Sequence, residues 1–530
     1  MIVPLTPLDF KRRAVKLYRT KLAVVDGEKQ FTYGEFSART NQLSHGLRSL
    51  GVERGTKVAV LAPNTHEMLE CFYGVPQLGG ILVPINIRLQ SHEIKYIILH
   101  SDAEVLIIDS EFADKVDEVL SALGTLRHII LIESGYKTSL PFSVTYETLL
   151  QGQPQNDIRV EVDENSPITI NYTSGTTSRP KGVVLTHRNT YVNAADFLLH
   201  LRVFHDDVYL HTLPMFHVNG WGGVWAITAV GGTHICLRRV DPALILSLYE
   251  QEHITLACGA PTVLNMLIQS PNLKDTTITW PTRIATAGSP PPAAIIQQVQ
   301  KFLNMEVIHV YGSTEVSPFI SICEWRDEFN LLDDSAQAAL KAYQGVEMVF
   351  SGETSVVRTD GTEVAWDGME IGEIVARGNV VMDGYYKQPE ETDKCIRDGW
   401  FHTGDLAKVY QNGYIEIVDR LKDVIISGGE NVSSIEVEGY LYKHPAVADV
   451  AVVAKPDEKW GEVPVALIVL KPGMSATAQE LNEFCRSGLA HFKVPKEFRF
   501  VDVLPRTSTG KLQKYVIRQP FWEGKEKHVQ

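Results

Sequence analysis

The sequence predicts an α/β protein: a large N-terminal region of several subdomains with parallel-rich sheets, followed by a small α+β domain. Three observations predict it. The first half alternates short apolar runs with helical patterns. Residues 371–419 change to Gly- and Asp-Gly-punctuated runs that read as antiparallel β. After Arg420 comes a compact pattern of a few strands and two helices. A chain of 530 residues is also too long for one ordinary core.

In chain order, "KVAVLAP" (57–63), "GILVPI" (80–85), "EVLIID" (104–109) and "HIILIE" (128–133) read as buried strands. "HEMLECFYGVPQLG" and "SHEIKYIILHSD" read as the helices between them. "ITINY" alternates as a strand should, and "HRNTYVNAADFLLHL" places Tyr191, Ala194, Ala195, Leu198 and Leu199 at helical spacing. "GEIVARGNVVMDGYY" and "GYIEIVDR" form the antiparallel section. Beyond it, "DVIISGG" is a strand, a helix starts near Ser434, and "VADVAVVAKPD" and "EVPVALIVL" are strands. A helix over 478–489 opens with a capping box, Thr477 and Glu480, and "EFRFVDVLP" closes the unit. The domain boundary is expected between 1–420 and 421–530.

Composition narrows the function. Apolar residues make up 44% and charged residues 22%, as in a soluble globular protein. A net charge of −14 argues against nucleic acid as a partner. Six cysteines stand singly at 71, 236, 258, 323, 395 and 485, which suggests neither a zinc site nor a disulfide scaffold. No apolar run is long enough to span a membrane, and the first residues lack a signal-peptide pattern. A cytoplasmic protein without integral membrane contact is expected.

Between "ITINY" and the following helix lies a loop of hydroxyls, glycines and one lysine: Thr173, Ser174, Gly175, Thr176, Thr177, Ser178, Lys181 and Gly182. It offers hydroxyl donors, accessible backbone N–H groups and a mobile cation, the parts of a polyphosphate cradle. Lys181 follows a proline, so the loop is not a Walker A motif. A strand, a turn and a helix would give the usual phosphate-binding geometry. Five further stretches follow in order: "YGSTE" (311–315), "GWFHTGD" (399–405), "DRLKD" (419–423), "SGGEN" (427–431) and "PRTSTGKLQK" (505–514). Each alone reads as well as a turn or a solvated charge run; six in this order do not.

With these stretches the chain resembles the adenylate-forming superfamily of acyl-CoA synthetases, peptide-synthetase adenylation domains and firefly luciferases. "PMFHVNGW", "ICLRRV" and "DRLKDVIISGGENVSSIEVE" are most similar to enzymes activating short- and medium-chain, aryl or methylthio-alkanoic acids. Ser178-Arg179 departs from the Gly-x of many relatives. The resemblance implies a distorted β-barrel in the antiparallel section, a mobile C-terminal domain, and a two-step acid:CoA ligation with ATP, Mg²⁺ and coenzyme A. The alternative it leaves open is transfer of the acyl group to a carrier protein's phosphopantetheine. A non-catalytic acyl-nucleotide sensor would be expected to lose Lys511 or Glu315, and both are present.

The resemblance also implies roles. Thr173, Ser174, Gly175, Thr176, Thr177 and Lys181 would cradle the β- and γ-phosphates. Tyr311 would lie against adenine, Thr314 would bond the α-phosphate, and Glu315 would hold Mg²⁺. Asp405 and Arg420 would contact the ribose. Lys511 would bridge the acid's carboxylate and the α-phosphate. Lys422 would be the hinge, and Gly428 and Gly429 would admit the pantetheine arm after domain rotation. His217 would face the acid. Gly288, in "TAGSPPP", and Gly312 would complete the acyl and nucleotide walls, with Gly312 admitting an acid longer than acetate. Those stretches carry no Lys or Arg for a second carboxylate, so a monocarboxylic acid with an apolar tail is expected. The Pro505–Lys511 segment resembles one that lysine acetyltransferases modify, and a homodimer is compatible with the family.

Overall fold

The computed structural model describes residues 1–158, 160–173, 179–507 and 511–523. Two large sheets and two smaller ones carry the chain. The eight-stranded sheet runs Gly384–Tyr385, Lys181–Thr186, Pro167–Thr173, Ile81–Pro84, Lys57–Leu61, Ala103–Asp109, His128–Ile132, Val144–Thr145. It is parallel apart from the first two strands, which pair antiparallel at one edge. The nine-stranded sheet has a parallel centre that includes Val208–His211, Leu256–Gly259, Thr282–Thr286 and Met305–Tyr311. Parallel strands need cover on both faces, which is why they read as near-continuous apolar runs.

One core joins residues of both large sheets to the helices Tyr33–Ser49, His66–Gly74, His187–His200 and Gly223–Val230. All nine residues of His66–Gly74 are buried, and its polar members are paired, Glu70 with Arg39 and His66 with Asp26 and Glu67. Phe72 meets Trp225 edge to face at 5.5 Å there. Thr32 and Glu35 close a capping box on the Tyr33 helix, and Thr186 with Asn189 does the same for the His187 helix.

Residues 353–420 supply a five-stranded antiparallel sheet, where Trp400–Val409 pairs with Gly372–Arg377 and Ile415–Arg420. The last sheet holds Ile425–Ser427, Glu430–Val432, Val447–Asp457, Gly461–Leu470 and Glu497–Phe500, over its own apolar core. The expected capping box on Ala478–Arg486 is present. Among the described residues no helix is long and apolar enough to cross a membrane. All six cysteines are free thiols.

Candidate active site

The geometry departs from the sequence reading first at the hydroxyl loop. Lys181–Thr186 is a strand antiparallel to Pro167–Thr173, and the helix begins only at His187. "KGVVLT" is buried along Gly182–Thr186, so its β-branched residues go to the sheet. The described residues that follow the loop are therefore a strand and not a helix N-terminus. Thr173 and Lys181 are register partners across its mouth. Ser174, Gly175, Thr176, Thr177 and Ser178, and likewise Gly510, lie outside the described residues.

Lys181 pairs with Glu391 and lies 4.6 Å from the centre of the Tyr385 ring. Tyr385 donates its hydroxyl to Glu315 Oε1 at 2.9 Å. Burial, then Glu315, raises the Tyr385 phenol, so it stays a donor. The hairpin and "YGSTE" thus converge through a tyrosine that sequence reasoning did not single out. Its sequence signal is only its place in "DGYY", a short strand pairing with Lys181–Thr186. Thr314 is buried in the short turn of helix that follows Tyr311. Glu315 is fixed by its own backbone as well, because Met382 N–H donates to its carbonyl at 2.8 Å. Asn189 in turn holds the carbonyls of Asn379 and Val381.

A second group forms where Met305–Tyr311 ends. Tyr311 donates its hydroxyl to Asp405 Oδ2 at 2.7 Å, and Arg420 Nε lies 3.2 Å from Asp405 Oδ1. Asp405 and Arg420 are cross-strand partners, so the sheet itself sets this pair. Burial works against the Arg420 charge, but Asp405 and Asp423 raise its pKa above the ordinary value.

Lys511 reaches the same neighbourhood from the far end of the chain. Burial, then Arg420, lowers its amine to about 7, while Asp405 and Glu315 act in the opposite sense. His217 is held down to about 4 by burial and by Lys511. Lys422 is also lowered, by burial and then Arg420. Lys511, Arg420 and Lys422 share this neighbourhood with Asp405, Asp423 and Glu315, so positive groups stand ready where an anion could enter.

His217 opens a turn that sequence reasoning did not foresee. Val218, Asn219, Gly220, Trp221 and Gly222 have φ of 43°, 55°, 56°, 59° and 84°. Consecutive left-handed residues cost roughly 1–2 kcal/mol each where they are not glycine. Gly222 suits its φ of 84°, and a Cβ there would also displace Asn193 Nδ2, 2.3 Å away. Trp221 meets Phe319 edge to face at 5.4 Å.

The remaining predicted residues are placed as follows. A Cβ on Gly312 would lie 1.7 Å from the Pro318 carbonyl oxygen. Gly288 is exposed just after Thr282–Thr286, at φ 92°. Gly428 and Gly429, at φ 63° and 87°, form the two-residue turn between Ser427 and Glu430. A Cβ on Gly428 would meet Trp460 at 2.7 Å. The Lys422 carbonyl accepts from Arg518.

Comparison with known proteins adds to this geometry. A family model described as AMP-binding enzyme matches residues 10–386, and one described as AMP-binding enzyme C-terminal domain matches residues 436–511. The chain is 42% identical to the 2-methylpropanoate–CoA ligase CCL4 of Humulus lupulus, over 97% of this chain and 95% of that protein. It is 43% identical to 4-hydroxybutyrate–CoA ligase 2 of Metallosphaera sedula, over 97% and 94%. Among solved structures, that of the anthranilate CoA ligase AuaEII with anthranoyl-AMP matches with a TM-score of 0.89 at 25% identity, covering 98% of each chain.

Proposed function

This chain belongs to the AMP-binding enzyme family and is an ATP-dependent, AMP-forming acid:CoA ligase, and from that premise we propose its acid, its site residues and their roles. The acid is a monocarboxylate with a short- to medium-length apolar or aryl tail. Relatives named for 2-methylpropanoate and 4-hydroxybutyrate make four-carbon acids the first to test. The observation that carries the site assignment is the convergence of Lys511, Arg420, Asp405, Glu315 and His217 on one electrostatic neighbourhood.

In the first step the acid's carboxylate oxygen attacks the α-phosphorus of ATP. The bond to the β-phosphate breaks and pyrophosphate leaves. Lys511 lies between the two anions, and Arg420 adds positive charge from the 1–420 side. Thr314 bonds the α-phosphate. Thr173 and Lys181 frame the cradle for the leaving phosphates, with Ser174, Gly175, Thr176 and Thr177 between them. Binding ATP draws Lys181 away from Glu391. Tyr311 and Asp405 hold adenine and ribose. Glu315 presents a carboxylate, a hard oxygen donor suited to Mg²⁺, which would neutralise phosphate charge when bound. In the second step the coenzyme A thiolate attacks the acyl carbon, and AMP leaves.

Between the steps the domain 421–530 turns about Lys422 against 1–420, and Gly428 and Gly429 come to the pantetheine arm. Gly288 and Gly312 belong to the walls of the site. We extend the proposal to a cytoplasmic setting, to a homodimer, and to modification of Lys511 by a lysine acetyltransferase. The test is release of AMP and pyrophosphate against a panel of acids, with and without coenzyme A. Acid-dependent pyrophosphate release, with thioester only when coenzyme A is added, is the expected result. No acid-dependent release from any acid would overturn the reading.

A further inference from the structure

Asn219 closes a ring of three buried side chains. Thr169 Oγ1 donates to Asn171 Oδ1 at 2.8 Å. Asn171 Nδ2 donates to Asn219 Oδ1 at 3.1 Å. Asn219 Nδ2 donates back to Thr169 Oγ1 at 3.1 Å. The three residues are 0%, 2% and 1% exposed. Each side chain donates once and accepts once around the ring, so each bond polarises the next.

The two sides of this ring differ in how firmly they are held. Thr169 and Asn171 lie on Pro167–Thr173, which pairs with Lys181–Thr186 along its length and with Ile81–Pro84 at Leu82. Asn219 lies in the left-handed turn Val218–Gly222, which no sheet supports. Besides the ring, that turn is tied by Asn193 Nδ2 to the Trp221 carbonyl at 3.2 Å, by Gly220 N–H to the His217 carbonyl at 3.1 Å, by Gly223 N–H to the Gly220 carbonyl, and by Trp221 against Phe319. The strand is the fixed partner and the turn is the strained one. His217 and Trp221 flank Asn219 within that turn. Trp221 continues through Phe319 toward Gly312, whose added Cβ would approach the Phe319 Cα at 3.1 Å. Thr173, two residues beyond Asn171, faces Lys181.

We infer that Asn219 is a positioning residue: through Thr169 and Asn171 it registers the acid-facing turn, His217 and Trp221, against the strand that leads into the phosphate loop. The inference rests on the proposed placement of the acid beside His217. Removing the ring frees the strained turn and leaves the strand in its sheet. The acid side of the site should therefore loosen while the nucleotide side holds. Asn and Gly both accept left-handed backbone, so Asn219→Gly removes the ring without adding strain. Thr169→Val removes one hydroxyl at constant shape, and Thr169→Ser restores it.

The experiment measures KM for the best acid, kcat, binding of ATP alone by calorimetry, and the melting temperature, in full-length wild type and the three variants. Wild-type turnover is established first, so failure of the ligase assignment is seen separately. Asn219→Gly and Thr169→Val should raise the acid's KM at least tenfold and flatten the preference among acids. Their ATP affinity should stay within about threefold of wild type. Thr169→Ser should recover most of the acid affinity. Melting temperatures that fall with unchanged acid KM and unchanged acid preference would overturn the inference. Equal loss of acid and ATP binding would also overturn it, since the ring would then serve the whole fold.

Discussion

Arg518 donates from Nη1 to the main-chain carbonyl of Lys422 at 2.9 Å and to the Asp423 carboxylate at 3.1 Å. Four residues earlier on the same helix, Lys514 pairs with Glu438 at 2.7 Å and bonds Ser434 Oγ. Ser434 in turn donates from N and Oγ to Asp419, at 2.6 and 2.7 Å. The helix Lys514–Trp522, starting three residues after Lys511, thus grips the proposed hinge on both sides. Arg518→Ala should loosen the arrangement that brings Lys511 to the acid. A lost charge-assisted bond of roughly 1.5–3 kcal/mol predicts at least tenfold slower acyl-AMP formation. Thioester formation from supplied acyl-AMP should change far less. Single-turnover measurement of each half-reaction checks this, and equal losses would mean the helix acts on folding alone.

Lys422→Pro addresses the hinge itself. Proline fixes φ near −65° and resists the backbone change a rotation requires. Adenylation should survive in the variant and thioester formation should fall. Wild-type rates for both steps would place the hinge at another residue.

The Lys511 amine predicts a pH profile. With its pKa lowered to about 7, by burial and then Arg420, the free enzyme carries this proton below pH 7 and loses it above. Adenylation needs the cation, so kcat/KM for the acid should fall as pH rises through about 7. Bound phosphate favours the cation, so kcat should hold to higher pH. Lys511→Ala should lose roughly 10²–10³ in acyl-AMP formation and should lack the inflection. An inflection that persists in the variant would assign it to another group.

The fold was largely legible because each element carries its own local signal. The runs at 57–63, 80–85, 104–109 and 128–133 are observed as Lys57–Leu61, Ile81–Pro84, Ala103–Asp109 and His128–Ile132. Thr477 and Glu480 announced a helix start that is present. The strand Lys181–Thr186 was hidden because Pro180 and Gly182 flank the lysine and suggest a turn, whereas cross-strand pairing with Pro167–Thr173 decides it. The convergence of Lys511 with His217 could come only from resemblance, since 294 positions separate them and no local pattern relates them. The left-handed turn at Val218–Gly222 was not legible either. Val218 and Trp221 disfavour that conformation locally, and partners distant in sequence, Thr169, Asn171 and Asn193, hold it.

Buried histidines predict acid sensitivity of the fold. His187, His234 and His309 are held down to about 4, 3 and 4, each chiefly by burial. In the unfolded chain a histidine titrates near 6.5. Below that pH the unfolded state binds protons that the folded state refuses. Their contribution is therefore complete above about pH 6.5 and is lost as pH falls toward 4, by about 1.4 kcal/mol per pH unit for each. Asp196, raised to about 6 by burial, and His66, raised beside Asp26, act in the opposite sense. Glu70, Asp419 and Glu438, all raised by burial, join these two, while His100, His200, His211 and His217 are lowered like the first three. Seven lowered groups outweigh five raised ones, so the melting temperature should drop between pH 6.5 and 5. His234→Gln should flatten the slope; an unchanged slope would mean that His234 is protonated in the fold.

Gly312 gives the last prediction. The sequence reading expects Gly312→Trp to shorten the pocket and shift preference toward acetate. The structure puts backbone first: an added Cβ would stand 1.7 Å from the Pro318 carbonyl oxygen and 2.8 Å from its carbonyl carbon. No rotamer relieves a clash with main chain, so the Ser317–Phe319 segment must move. Phe319 packs against Trp221, and the displacement passes to the turn that carries His217. Overpacking of this kind costs roughly 1–3 kcal/mol even for a methyl group. Gly312→Ala should already lower the melting temperature and reduce kcat/KM about tenfold or more for every acid, leaving their rank order unchanged. Gly312→Trp should do the same more severely. The check is a chain-length series from acetate upward for wild type, Ala and Trp variants. A Trp variant that keeps acetate activity and loses only longer acids would show that Gly312 opens into the acyl channel and that its backbone contact yields.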